Sequence, residues 1–476
     1  MRENLDPLND LRVPAGRMDT PIAFGTDGWR ADEETFTIDH GRFVAQALAT
    51  FAADYGLTGA PIAIGYDPRG QSRTCATAMA DVLTANGIDV RRYPRDLPTP
   101  LLAWQIAQRR YAGGLMVTAS DNPPLDHGVK IIMPDGAPAL PSMTNAVEAR
   151  LSAPKDMAVA GATDRLVDPR PGYLEHIREL VDVEGIDRLR LCYDAMHGSG
   201  RGVVDRLLEA CGAAVITYRC TRDPTFGGTQ PDPTPDRLGT LERAVRRADA
   251  DLGIATDGDG DRIAVVTPER GVLEADVVFA AVYDHLLDHD RGPVVRTVAS
   301  SHVLDRIAAA HDESTIETAI GFKWVAAAMR EHDALVGGGS NGDYTIRGHV
   351  RTKDGVLMAV LVAAMTAAEP LDERIDRILA AHGSIVQDEV AIPCHDGQPA
   401  AVLEALASMQ PTSIASAEVT DISTTDGLKF LLADTGWLLV RPSTTEPMLK
   451  LRAEAPTPTQ VDAVLEAGRS IVEPLL

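Results

Sequence analysis

The chain has 476 residues, 45% of them hydrophobic and 24% charged, and a formal net charge of −24. That length exceeds a single hydrophobic core and predicts two to four domains of an ordinary globular protein. The acidity excludes broad nucleic-acid or anionic-membrane binding, although a few arginines in a cleft can still set the field for an anionic small molecule.

In chain order, the first twenty residues are polar and lack the apolar core of a secretory signal. From Pro61 strands and helices alternate: PIAIGYD as strand, 72–86 as helix, IDVRRYP as strand, 100–109 as helix, GGLMVTAS as strand. A second series runs from LRLCYDA through VITYRC to DLGIATD, and a third from PVVRTVAS through STIETAI to ALVGGG. Such βα units predict largely parallel sheets. The segment DPTFGGTQPDPTP, from Asp223, is dense in Pro and Gly and predicts an exposed loop. The longest apolar stretch, 356–368, is too short to span a bilayer and follows Lys353 and Asp354. The tail changes character. A helix over 399–409, the strands GLKFLLAD, GWLLVRPS and MLKLRAEA, and a helix over 458–472 predict an α+β domain. Boundaries are expected near 152–162, 269–275 and 384–388. Five scattered cysteines without metal spacing predict unpaired thiols in a reducing cytoplasm.

Four segments look built to hold a phosphate or a metal: TASDNPPLDHGVK from Thr118, DGDGDR from Asp257, VGGGSNGDY from Val336 and RPSTTEPMLKLRAE from Arg441. DGDGDR places Asp257, Asp259 and Asp261 at alternate positions with glycines between them, so the backbone can fold tightly enough for three hard oxygen ligands to converge on Mg²⁺. An EF-hand is excluded, because Arg262 stands where its glycine is required and Pro268 where its last glutamate is required. TASDNPPLDHGVK puts Ser120 just past an apolar strand, where α/β proteins bind ligands, with Lys130 downstream. Serine needs a base, a metal or prior phosphorylation to react. RPSTTEP gathers Arg441, Ser443, Thr444 and Thr445 into a cradle suited to a phosphate dianion. HGSGRG, from His197, and the glycines from Gly337 lack the complete dinucleotide fingerprint.

These segments, with FGTDGWR, FGGTQPDPTP, GFKW and IRGH…KDG, occur in an order that resembles the α-D-phosphohexomutases, the superfamily of phosphoglucomutases and phosphomannomutases. The likeness covers nearly the whole chain. It implies three α/β domains and a C-terminal α+β domain around a central cleft, here 1–155, 156–273, 274–386 and 387–476. It implies that Ser120 is the phosphoserine and, with Asp257, Asp259 and Asp261, binds Mg²⁺. Arg30, Lys130 and Arg262 then surround the transferring phosphoryl group. Lys323, Gly339, Ser340 and Asn341 fall in the sugar-recognition region, and Arg441, Ser443, Thr444 and Thr445 in the loop that holds the other phosphate. The implied reaction moves a phosphoryl group between the 1- and 6-positions of a small phosphosugar, with a sugar 1,6-bisphosphate as intermediate and activator. The sparse cysteines predict a cytoplasmic protein, and a monomer or homodimer is expected.

Two positions depart from the family pattern. Its serine loop usually reads TASHNP, whereas here the histidine is Asp121. A second carboxylate about 5 Å from a phosphoserine repels it by roughly 3 kcal/mol at an effective dielectric near 20, less if it points at the metal or at a cation. Tolerated drift, Asp121 as a general base, and His127 as a substitute imidazole are the alternatives. The sugar loop usually reads GEESG, but here it runs Gly338, Gly339, Ser340, Asn341, Gly342, without the glutamate that accepts from sugar hydroxyls. Its loss should redirect or weaken sugar recognition. A phosphosugar phosphatase and a non-catalytic phosphosugar-binding protein are the competing expectations.

Overall fold

The computed structural model describes residues 22–154, 163–384, 386–395, 397–433, 436–443 and 448–476. They divide into two compact units, Met1–Leu273 with Asp343–Ala368, and Glu274–Gly342 with Glu369–Leu476.

The first unit holds two sheets. One has the strand order Trp29–Ala31, His127–Ile132, Gly113–Val117, Ile62–Tyr66, Val90–Arg92, Asp164–Leu166. Its last four strands pair in parallel, and His127–Ile132 runs antiparallel to both neighbours. Helices Ile38–Asp54 and Ser72–Ala85 bury Val44, Leu48, Met79 and Leu83 in one core with Ile62, Ile64, Leu115, Val117 and Val129 of the sheet. The second sheet has the order Gly271–Val272, Ile263–Thr267, Leu252–Thr256, Arg190–Asp194, Ala214–Tyr218. Helix Gly355–Ala368 packs on this sheet and is buried from Gly355 to Thr366. The longest apolar stretch is therefore a core helix. Among the described residues, no single helix is long and apolar enough to cross a membrane.

The second unit contains the parallel strands Thr315–Thr318, Val294–Thr297 and Val336–Gly338, in that order. Its other sheet is antiparallel throughout: Val386–Pro393, Met448–Ala455, Trp437–Pro442, Leu428–Leu432, Ala417–Ser423, Ser413–Ile414. Helices Gln398–Met409 and Pro458–Val472 close its core through Val402, Leu406, Val461, Val464 and Leu465.

The three βα series share a layout that their residues do not reveal. In each, the first strand lies between the second and the third. In each, the third strand runs into one of the chemistry-bearing loops. Gly113–Val117 leads to Ser120, Leu252–Thr256 to Asp257, and Val336–Gly338 to Gly339. All three loops thus leave the carboxyl ends of parallel strands, where ligands of α/β sheets bind.

Candidate functional site

Ser120 is fully buried and holds a left-handed backbone, φ 49°. Its N–H donates to Thr118 Oγ1 at 2.8 Å, which ties the turn to the end of its own strand. Its hydroxyl donates to Asp257 Oδ2 at 3.0 Å, so the loops of two different sheets meet at this oxygen. Gly258 makes the meeting possible: a Cβ there would lie 2.6 Å from the Ser120 carbonyl oxygen and 3.0 Å from Pro231 Cγ.

Asp257, Asp259 and Asp261 are all fully buried, each offering an oxygen within 4.8 Å of the others. Asp257 Oδ1 accepts the backbone N–H groups of Asp261 and Arg262 at 2.9 and 3.0 Å, which closes the turn. Burial, then Asp261 and Asp259, push the Asp257 carboxyl well above its ordinary range. Burial also raises Asp259, but the charges of Lys130 and Lys353 and the hydrogen bonds from Lys130 and Thr99 together outweigh it and hold that carboxyl low. Lys130 Nζ donates to Asp259 Oδ2 at 2.8 Å and Asp261 Oδ2 at 2.7 Å. Thr99, which opens helix Thr99–Arg109, donates its N–H to the Asp259 carbonyl and its hydroxyl to the Asp259 carboxylate, placing this anion at a helix N-terminus.

The group fits a divalent metal. Asp259 Oδ1 and Asp261 Oδ1 are buried without a hydrogen-bond partner, and an all-carboxylate oxygen set suits Mg²⁺. The charge agrees. Five carboxylates (Asp27, Asp121, Asp257, Asp259, Asp261) stand with four cations (Arg30, Lys130, Arg262, Lys353), and the crowding that adds to burial in raising the Asp257 carboxyl is what a divalent cation would relieve.

Asp121 lies between two guanidinium groups, with Oδ1 2.9 Å from Arg30 Nη1 and Oδ2 2.8 Å from Arg262 Nη1. Burial works against its charge, but Arg262 and Arg30 together hold it well below the usual carboxylate range. The foreseen repulsion is thus met by two cations, and an ionised carboxylate so held is a poor base. His127 does not supply the missing imidazole. Side chains alternate along a strand, which puts His127 on the face opposite Lys130. There it is buried with its ring 5.2 Å from Phe36, and burial lowers its pKa to about 4.

Sequence reading passed over two members of this cluster. Asp27 binds Lys130 Nζ at 3.0 Å and Lys353 Nζ at 2.8 Å, and Lys353 also reaches Asp261 at 3.3 Å. Their signals were in FGTDGWR and KDG, motifs noted only for their order. Two other motifs serve as supports. Ser199 of HGSGRG donates both its N–H and its hydroxyl to the Gly258 carbonyl at 2.9 Å, bracing the aspartate loop. The loop from Asp223, expected to be exposed, buries Phe226, Pro231 and Pro233: Pro231 packs against Gly258 of the aspartate loop, and Phe226 against Arg69.

In the second unit, Lys323 is on helix Phe322–His332 beside Trp324. Gly339 is buried, Ser340 is half-buried with its hydroxyl 3.4 Å from that of Ser300, and Asn341 is exposed. Arg441, next to last in strand Trp437–Pro442, lies 3.4 Å from Asp426, which accepts the Ile320 N–H at 3.0 Å. Asp426 therefore joins the turn before Lys323 to the strand that carries Arg441. Ser443 accompanies Arg441; Thr444 and Thr445 lie outside the described residues.

Four family profiles match the chain in order. They are the phosphoglucomutase/phosphomannomutase alpha/beta/alpha domains I, II and III over 21–157, 171–271 and 274–382, and the C-terminal domain over 389–469. A phosphoglucosamine mutase of Acidothermus cellulolyticus is 31% identical over 96% of this chain and 97% of its own length. A phosphoglucomutase/phosphomannomutase of Thermococcus kodakarensis is 29% identical over 95% of this chain and 99% of its own. In fold, the chain is similar to the crystal structure of a phosphoglucomutase/phosphomannomutase family protein from Burkholderia thailandensis. The TM-score is 0.84 at 22% identity, over 95% of this chain and 97% of the other.

Proposed function

Because the chain belongs to the phosphoglucomutase/phosphomannomutase family, whose relatives are mutases, we propose that it shuttles a phosphoryl group between the 1- and 6-oxygens of a hexose phosphate through Ser120. The observation that carries this reading is the convergence of the buried Ser120 hydroxyl on the Asp257, Asp259 and Asp261 cluster, with Lys130, Arg30 and Arg262 around it. Phosphorylated Ser120 passes its phosphoryl group to a sugar hydroxyl: the Oγ–P bond breaks, a sugar O–P bond forms, and Oγ takes up the proton the hydroxyl releases. The bisphosphorylated sugar then returns its other phosphate to Oγ.

Phosphoryl transfer rests mainly on positioning and on neutralising charge. Asp257, Asp259 and Asp261, with the serine phosphate, would hold Mg²⁺, which supplies charge neutralisation on phosphoryl oxygens when bound. Lys130 remains charged, because its three aspartate neighbours outweigh burial and raise its pKa well above the ordinary lysine value. Arg30 and Arg262 face the same loop as fixed cations. Arg441 and Ser443 are read as the grip on the phosphate that does not react, and Lys323, Ser340 and Asn341 as contacts to the sugar. Without a glutamate at position 339, the hexose is expected to be selected less by its vicinal hydroxyls than in relatives with GEESG. Glucosamine, glucose and mannose phosphates are therefore the substrates to compare. A phosphatase reading loses its proposed base, since Asp121 is paired at both oxygens.

The test follows the phosphorus resonances of each 1-phosphate with Mg²⁺ and catalytic 1,6-bisphosphate. Conversion to the 6-phosphate by the native protein and none by Ser120→Ala is the expected result. Equal turnover by the variant would remove Ser120 from the mechanism, and release of inorganic phosphate instead of isomerisation would replace mutase by phosphatase.

A further inference from the structure

We propose that Arg69 is a positioning residue that fixes the shape of the Ser120 loop from behind, through the loop backbone and without touching substrate. The proposal rests on the reading of Ser120 as the phosphoryl carrier. A guanidinium has five N–H donors in a rigid plane. At Arg69, which is fully buried, all five are spent. Nη2 donates to the carbonyls of Ser120 at 2.7 Å and Asn122 at 2.9 Å. Nη1 donates to the carbonyls of Pro123 and Asp126, at 2.5 and 2.9 Å. Nε donates to Asp67 Oδ2 at 2.9 Å. No donor remains for a phosphate, which separates Arg69 from Arg30 and Arg262.

Asp67 completes the fixture. It accepts from Ser72 Oγ at 2.7 Å and from Thr118 Oγ1 at 2.8 Å, and that same Thr118 oxygen accepts the Ser120 N–H. The turn is therefore held at its N–H by the Asp67 side and at four carbonyls by the Arg69 side. Phe226 covers the guanidinium at 5.0 Å from its ring centre. A non-glycine residue in a left-handed conformation persists only where its surroundings over-determine it, and Ser120 is such a residue. Gathering four carbonyl oxygens onto one cation also turns them away from an anionic phosphoserine. A lysine, with three donors on one atom and no planar fork, cannot reproduce the pattern.

The experiment uses the full chain with glucose 1,6-bisphosphate and Mg²⁺, comparing native protein, Arg69→Ala and Arg69→Lys. The readouts are phosphate on the Ser120 peptide, kcat and KM on the sugar monophosphate, and thermal melting. Both variants should lose about 100-fold in kcat, as expected for an ångström-scale misplacement of a reacting group, with KM within about threefold of native. Millimolar guanidinium should restore part of the rate to Arg69→Ala but not to Arg69→Lys. If Arg69→Ala does not fold, the kcat and KM of Arg69→Lys decide. A kcat within threefold of native in folded variant, or a loss confined to KM, overturns the proposal. If native protein takes no phosphate on Ser120, the carrier reading itself fails, and this proposal falls with it.

Discussion

At the scale of single residues, one of the two departures from the family pattern, Asp121, is compensated by charge. Asp121 bridges Arg30 and Arg262. Asp121→Asn keeps the shape but leaves two neighbouring guanidiniums without their anion. Hydrogen bonds to charged groups contribute about 1.5–3 kcal/mol, so a loss of about 2 kcal/mol in urea unfolding is expected. Inorganic phosphate should then stabilise the variant more than the native protein; equal stabilisation would mean that the arginines do not face an anion site. His127 makes a pH prediction. Its folded pKa, about 4, lies below the ordinary value of 6.5 because burial disfavours the charged ring. The unfolded chain therefore binds the extra proton between pH 6.5 and 4, and stability is lost as pH falls through that window. His127→Phe should flatten the acid limb of the unfolding free energy measured against pH in urea by up to about 3 kcal/mol at pH 4; an unchanged limb would contradict the burial argument. Asp121 could be read from the sequence as a departure, but its two partners could not, because Arg30 and Arg262 are 91 and 141 residues away.

At the scale of elements, long periodic segments were legible and contact-defined ones were not. The closing helix is found over Pro458–Val472, as its proline start and apolar spacing predict. Strands Val386–Pro393 and Ala417–Ser423 were missed, because most of their residues are exposed or half-buried and no clean apolar alternation marks them. The strand Trp29–Ala31 is too short for any period to register. The loops DGDGDR and TASDNPP declared their chemistry through composition, yet their meeting at Ser120 depends on a close approach that only glycine permits. Gly258→Ala places a methyl against backbone and proline rather than a yielding side chain. A drop of about 100-fold in kcat with a higher Mg²⁺ requirement is expected; native kinetics in this variant would show that the two loops do not need this contact.

At the scale of the whole molecule, one topology used three times explains why the chemistry is scattered through the sequence. Each α/β series delivers a loop from the end of its third strand, so residues far apart in the chain occupy equivalent places in their own sheets. A chain of net charge −24 that handles an anionic substrate must concentrate its cations, and Arg30, Lys130, Arg262 and Lys353 stand together beside the aspartate cluster. The central claim is that Ser120 carries the phosphoryl group. Its most direct test is to incubate the native protein with glucose 1,6-bisphosphate and Mg²⁺, map the phosphate by peptide mass spectrometry, and chase with sugar monophosphate. The account predicts phosphate on the Ser120 peptide and its return to the sugar as bisphosphate during the chase. Phosphate on another residue, on none, or lost to water before sugar is added would contradict it.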